Sequence, residues 1–138
     1  MAEGFARAYG HDIIDAVSAG LSPANFVDPS TKAVMAERSI SLEDAFPKGI
    51  DMALKPPPDL LVNISGQMLP YHAAHLPVEI WQVRDPIGEA QGVHREIRDQ
   101  VEGLVMKLIL RLRQQSQAPL RTNTSSARAP RYKFGRMA

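Results

Sequence analysis

At 138 residues the chain is long enough for one domain with a real core and too short for two of ordinary size. It has no cysteine, which excludes a disulfide framework, a thiolate zinc site, an iron–sulfur cluster and a cysteine nucleophile from this sequence. The net charge of +1 hides an asymmetry: residues 1–113 hold eleven Lys/Arg against all 15 Asp/Glu, a net −4, whereas residues 114–138 hold Arg121, Arg128, Arg131, Lys133 and Arg136 and no acid. No apolar run approaches the ~18–20 residues of a membrane span, and the N-terminus lacks a basic segment followed by an apolar one. The composition therefore reads as a soluble cytoplasmic protein with no membrane partner.

Met1, Phe5 and Tyr9 recur at helical spacing, and Gly10 is a natural stop, so a helix is predicted over Met1–Tyr9. Glu3 and Arg7 make an i, i+4 pair on another face. No residue caps the start of this helix. Asp12–Ser18 is short, apolar and strand-compatible. Asp28 and Pro29 supply an N-cap and first position for a helix through Arg38, with Val34 and Met35 as its buried side. Ser41–Asp44 is predicted to open a further short helix that stops near Pro47. Three consecutive prolines, Pro56 to Pro58, make a rigid extended connection. Asp59–Ser65 is a continuous apolar run that turns polar at its C-terminal end, the pattern of a buried strand, and Val78–Val83 is a second. Strands alternating with helices argue for a parallel α/β sheet. Val93, Ile97, Val101, Leu104, Val105, Leu108 and Leu112 mark a long amphipathic helix. From residue 116 the sequence turns to Gln, Ser, Thr, Ala, Pro and Arg, and 116–138 is predicted to be a disordered basic tail after a domain over 1–115.

Little of this carries obvious chemistry. His72 and His75 have a spacing that metals use, but a third ligand is missing, and they read as surface loop histidines. Tyr132 and Phe134 lie between cations, yet five charges over the tail read as a solvated segment and not as a nucleic-acid site. Neither G-x-x-x-x-G-K-[ST] nor G-x-G-x-x-G is present. Asp85-Pro86 stands just beyond the second strand, at the end of the sheet where open α/β folds place their ligands. There Asp85 is a candidate general acid.

The order of these segments is informative. Met1-Ala-Glu-Gly-Phe-Ala-Arg7, Ser18-Ala-Gly20, the strand Asp59–Ser65, Trp81-x-x-x-Asp85-Pro86 with Gly88, and Arg95-x-x-Arg98-Asp99-x-x-Glu102 together resemble the low-molecular-weight protein tyrosine phosphatase family. That family also includes the thioredoxin-type arsenate reductases. The similarity covers roughly 1–113. It implies a small doubly wound α/β domain with a parallel sheet of order 2-1-3-4. It also implies a C-x5-R-[ST] phosphate loop whose thiolate attacks phosphorus while the aspartate of the D-P motif protonates the leaving oxygen. Asp85 corresponds to that aspartate, and Ser18 to a serine that supports the phosphate loop. The substrate class implied is a phosphotyrosine protein or a small oxyanion, with no cofactor and no metal.

The resemblance also implies a departure. The family's loop lies immediately before the Met-Ala-Glu-Gly stretch, where this chain starts. The first strand, the nucleophile and the loop arginine are then absent, as expected of a misplaced start, a fragment or an inactive relative. Without thiols near Ser65–Pro70, an internal disulfide cascade is impossible, and a phosphatase or a reductase using an external thiol fits better. In the order 2-1-3-4 the absent strand lies between Asp12–Ser18 and Asp59–Ser65. The expectation is therefore either a gap between those strands or their direct pairing.

Overall fold

The computed structural model describes residues 1–117 in full and the backbone of 132–137. In chain order it comprises α1 (Ala2–Gly10), β1 (Ile14–Ala19), α2 (Pro29–Ala36), α3 (Ile50–Ala53), β2 (Leu60–Asn63), a 3-10 turn at Tyr71–Ala73, β3 (Val78–Ile80), α4 (Gln91–Gln117) and β4 (Tyr132–Met137). The four strands form one sheet of order β1-β4-β2-β3, parallel at every junction.

Most of the expected elements are present, with shifted ends. Helix α1 has no side-chain cap. Asp28 accepts from the Thr31 amide at 3.1 Å and caps α2, with Pro29 in its first turn. Val34 and Met35 are fully buried on its inner side. The helix expected at Ser41–Asp44 does not form. That stretch is a loop with one turn, closed by the Ala45 amide on Leu42 O, and the Ser41 hydroxyl instead accepts from the Glu43 amide. Such local bonding is how serine draws a segment away from helix. The short helix falls later, at Ile50–Ala53.

Successive residues of a strand face opposite sides of the sheet, and β2 shows what this achieves. Val62 packs into the main core beneath α1 and α4 with Phe5, Ile14, Val105 and Ile109. Leu61 packs on the other face with Ile50 of α3 and Ala73. Both faces are thus covered, as a parallel sheet requires. The predicted stripe of α4 is its buried face: Ile97, Val101, Val105, Leu108 and Leu112 are all inside. Arg98, also buried, clamps α4 to α2. Its guanidinium donates to Val34 O at 2.9 Å and to Glu37 Oε2 at 2.6 Å. Hydrogen bonds from Arg95 and then Arg98 hold the Glu37 carboxyl below its ordinary pKa, and Arg38 and then Arg98 do the same for Asp99. His94 is buried at the start of α4, with Nε2 3.4 Å from Asp28 Oδ1 and not hydrogen-bonded.

The sheet corrects two expectations. Strands β1 and β2 are neither separated by a gap nor paired with each other, because β4 lies between them. All six β4 residues pair with β1, from Ile14↔Tyr132 to Ala19↔Met137, and four also pair with β2, from Leu60↔Phe134 to Asn63↔Met137. The disordered tail expected over 116–138 therefore does not hold at Tyr132–Met137, and α4 runs on through Gln117. Residues 118–131 and 138 of that expectation lie outside the described residues. The physical reason is the one that made a gap costly. Two facing strand edges leave a row of unpaired amides and carbonyls, each worth about 1–3 kcal/mol when buried. A segment with Tyr132, Phe134 and Met137 can satisfy them. The pairing of β2 with β3 forms as expected, Leu61↔Val78 to Asn63↔Ile80.

A central strand has no spare N–H, so proline is not tolerated there. Phe134→Pro should therefore lower the thermal midpoint by about 5–15 °C, the equivalent of roughly 2–3 kcal/mol in a domain of this size. Differential scanning calorimetry of both chains checks this. An unchanged midpoint would mean that β4 contributes nothing.

Candidate active site

Parallel α/β sheets leave a crevice outside the C-terminal ends of their strands. Here it is a cleft of about 960 Å³ lined by Met1 just before α1, Glu3 and Arg7 of α1, Ser18 and Ala19 of β1, Lys48, Ser65, and Arg84 to Ile87 after β3. Both residues singled out from the sequence, Ser18 and Asp85, line it.

Asp85 is held in a built turn. Its Oδ1 accepts from the Ile87 amide at 3.0 Å, and the Glu89 amide donates to Pro86 O at 3.0 Å. Gly88 stands at the third position of that turn with φ +77, a conformation that favours glycine. Arg84 and Glu89 pair across its base. The turn presents the Asp85 carboxylate at the cleft.

Ser18 is tied inward. Its hydroxyl donates to Glu3 Oε2, which joins the end of β1 to the first turn of α1. Glu3 is the hub of this region. It pairs with Arg7 at 2.7 Å and with Lys48 at 3.7 Å, and its carboxylate sits in the first helical turn, where the helix dipole favours negative charge. Arg7 also donates through Nε and Nη2 to Ala16 O, at 3.1 and 3.0 Å. Lys48 arrives through an isolated parallel bridge, Gly20↔Gly49, with the Gly20 amide donating to Lys48 O at 2.9 Å. Its ammonium lies 4.8 Å from the centre of the Phe46 ring, within cation–π range.

The i, i+4 pairing of Glu3 with Arg7 was legible in the sequence. Its links to Ser18 and Lys48 were not, because both are long-range contacts between segments without a shared motif. His72 and His75 lie elsewhere, beside a cavity of about 260 Å³, with His72 Nε2 3.1 Å from Asp51 Oδ1. Among the described residues no group of three His, Cys, Asp or Glu is arranged to hold a metal ion, and no described helix is long and apolar enough to cross a membrane.

This arrangement limits the chemistry. Asp85 can exchange a proton at the cleft. The Ser18 hydroxyl is directed at Glu3, and two of the cleft's cations, Arg7 and Lys48, already face that carboxylate. Glu3→Gln removes a charged acceptor from three donors at once and should cost about 1–3 kcal/mol in denaturant unfolding. A loss below about 0.5 kcal/mol would show that the hub is a surface feature.

Comparison with known proteins agrees with the geometry. Over 115 residues the chain is 30% identical to the glutaredoxin arsenate reductase of Synechocystis sp., covering 81% of this chain and 87% of that protein. A solved structure of an arsenate reductase in the phosphate-binding state superposes with a TM-score of 0.70 at 31% identity, over 80% of this chain and 86% of that one. The arsenate reductase of Archaeoglobus fulgidus gives a TM-score of 0.63 at 29% identity, over 78% and 86%. The family model for low-molecular-weight phosphotyrosine protein phosphatases matches residues 1–118. With the parallel sheet, the D-P turn and the Ser18 position in place, the chain belongs to the low-molecular-weight phosphotyrosine protein phosphatase family.

Proposed function

We propose that this chain is a catalytically silent member of that family: its cleft is built for phosphomonoester hydrolysis or arsenate reduction, but it holds no group able to attack the substrate. The observation that carries this reading is the absence of cysteine from all 138 residues. The family's reactions pass through a thiolate, and a general acid helps the leaving oxygen depart only while a nucleophile attacks the substrate. Asp85, in its turn at the cleft, is assigned the general-acid role, and Ser18 the supporting role through Glu3. With a thiol supplied at the cleft, the substrate would be a phosphotyrosine protein or a small oxyanion. The name of the Synechocystis relative favours a reductase that draws on an external thiol, and the reading places the chain in the cytoplasm.

A second reading, partner binding without turnover, is supported by the charge of the cleft. Its lining carries Glu3, Asp28, Asp44 and Asp85 against Arg7, Lys48 and Arg84. A cleft with no excess of positive charge gives an anion little electrostatic gain. Its rim is apolar, with Phe46 59% and Ile87 68% exposed.

The test is turnover. Assayed with p-nitrophenyl phosphate, and with arsenate plus glutathione and glutaredoxin, the purified chain should give rates equal to the protein-free blank. Turnover above the blank that disappears in Asp85→Asn would overturn the silent reading and confirm Asp85 as catalytic.

A further inference from the structure

The central strand of this sheet is its most distant segment in sequence. Tyr132 pairs with Ile14 across 118 positions, whereas β2 and β3 pair across 17. Pairings of such separation close the longest loops and form late. A chain that has folded as far as β1, β2 and β3 therefore presents an open slot two strand spacings wide, about 9.5 Å, with an unpaired edge on each side. We propose that this slot is a strand-docking site that accepts Tyr132–Met137 of a second copy as well as its own, so that two copies can exchange β4 and form a reciprocal dimer.

Three features support the second copy as the occupant. The bonds at stake are the same in either arrangement, because the register is fixed by β1 and β2 and not by which chain supplies β4. The connection allows it: α4 ends near the start of β1, where Arg113 donates to Tyr9 O and Asp12 Oδ1. The fourteen residues from 118 to 131 span up to about 50 Å when extended, enough to reach its own slot or a neighbour's. Charge favours the encounter. Residues 1–113 carry −4 and residues 114–138 carry +5, and the register sets Lys133 opposite Asp15. Each copy's body attracts the other's C-terminal segment.

Tethers of this length give effective concentrations of the order of millimolar, so the self-paired monomer dominates in dilute solution. Exchange is expected when the chain is refolded near that concentration. The full chain, unfolded in guanidinium and refolded at about 1 μM and about 1 mM, is sized by chromatography with light scattering. The expected result is monomer at the low concentration and, at the high one, a dimer that survives dilution and decreases when refolding is done in high salt. The absence of native cysteine allows a direct readout. In Asp15→Cys/Lys133→Cys, paired positions sit within disulfide reach. Oxidation should give a link within the chain in the monomer and between chains in the dimer. Should that variant fail to fold, the unmodified chain refolded as an equal mixture of ¹⁴N and ¹⁵N protein is treated with carbodiimide, and the Asp15–Lys133 cross-linked peptide should contain mixed isotopes in the dimer alone. Monomer at both concentrations, or a dimer whose links all lie within single chains, would overturn the proposal.

Discussion

The backbone ladder that β4 makes with β1 and β2 is the constraint on which this molecule depends. A parallel sheet is stable only when both faces are covered and its inner edges are paired. The faces are covered by sequence close at hand: α1, α2 and α4 on one side, α3 and the Tyr71–Ala73 turn on the other. The inner edges are not. Between β1 and β2 the sheet needs a strand that the order of the first 117 residues does not provide, and Tyr132–Met137 occupies that position. The strand enters at the end of the sheet where α4 finishes and runs toward the cleft, so its direction matches its neighbours.

That placement has a consequence for function. In the family's order 2-1-3-4 the second position leads directly into the phosphate loop and then into the first helix. Here the strand in that position belongs to the far end of the chain, while α1 begins at residue 2. Helix α1 lines the cleft through Glu3 and Arg7. The α1 terminus is fastened by Glu3, which takes the Ser18 hydroxyl and the Arg7 and Lys48 cations. The arrangement is a self-consistent ion-pair hub at a cleft whose lining carries no excess of positive charge, in a sequence with no cysteine. Asp85 is retained in a turn whose glycine and amide bonds hold it at the same cleft.

Much of this was legible in the sequence. The stripe from Val93 to Leu112, the Asp28-Pro29 cap and the apolar run at Asp59–Ser65 are local signals, and each became the expected element. The family resemblance rested on short ordered motifs, and the site it pointed to, Asp85 with Ser18, lies at one cleft. The failures share a cause. Ser41–Asp44 has the composition of a helix start, but the Ser41 hydroxyl bonds its own backbone. Residues 132–137 sit in basic, Ser- and Pro-rich surroundings, which outweighed the alternation of Tyr132, Phe134 and the cations. Nothing local marks such a segment as a central strand, because what makes it one is the demand of two edges more than 70 residues away. Lys48 was missed for the same reason: only the Gly20↔Gly49 bridge brings it to Glu3.

Amide hydrogen exchange on the full chain tests the central claim most directly, since ladder amides exchange only when their strand opens. If β4 is the central strand, the amides of Tyr132–Met137 will be protected to an extent comparable with those of Leu61 and Val62. If those amides instead exchange as fast as a free peptide while Leu61 and Val62 stay protected, the slot is not held by β4 and the account of this sheet is wrong.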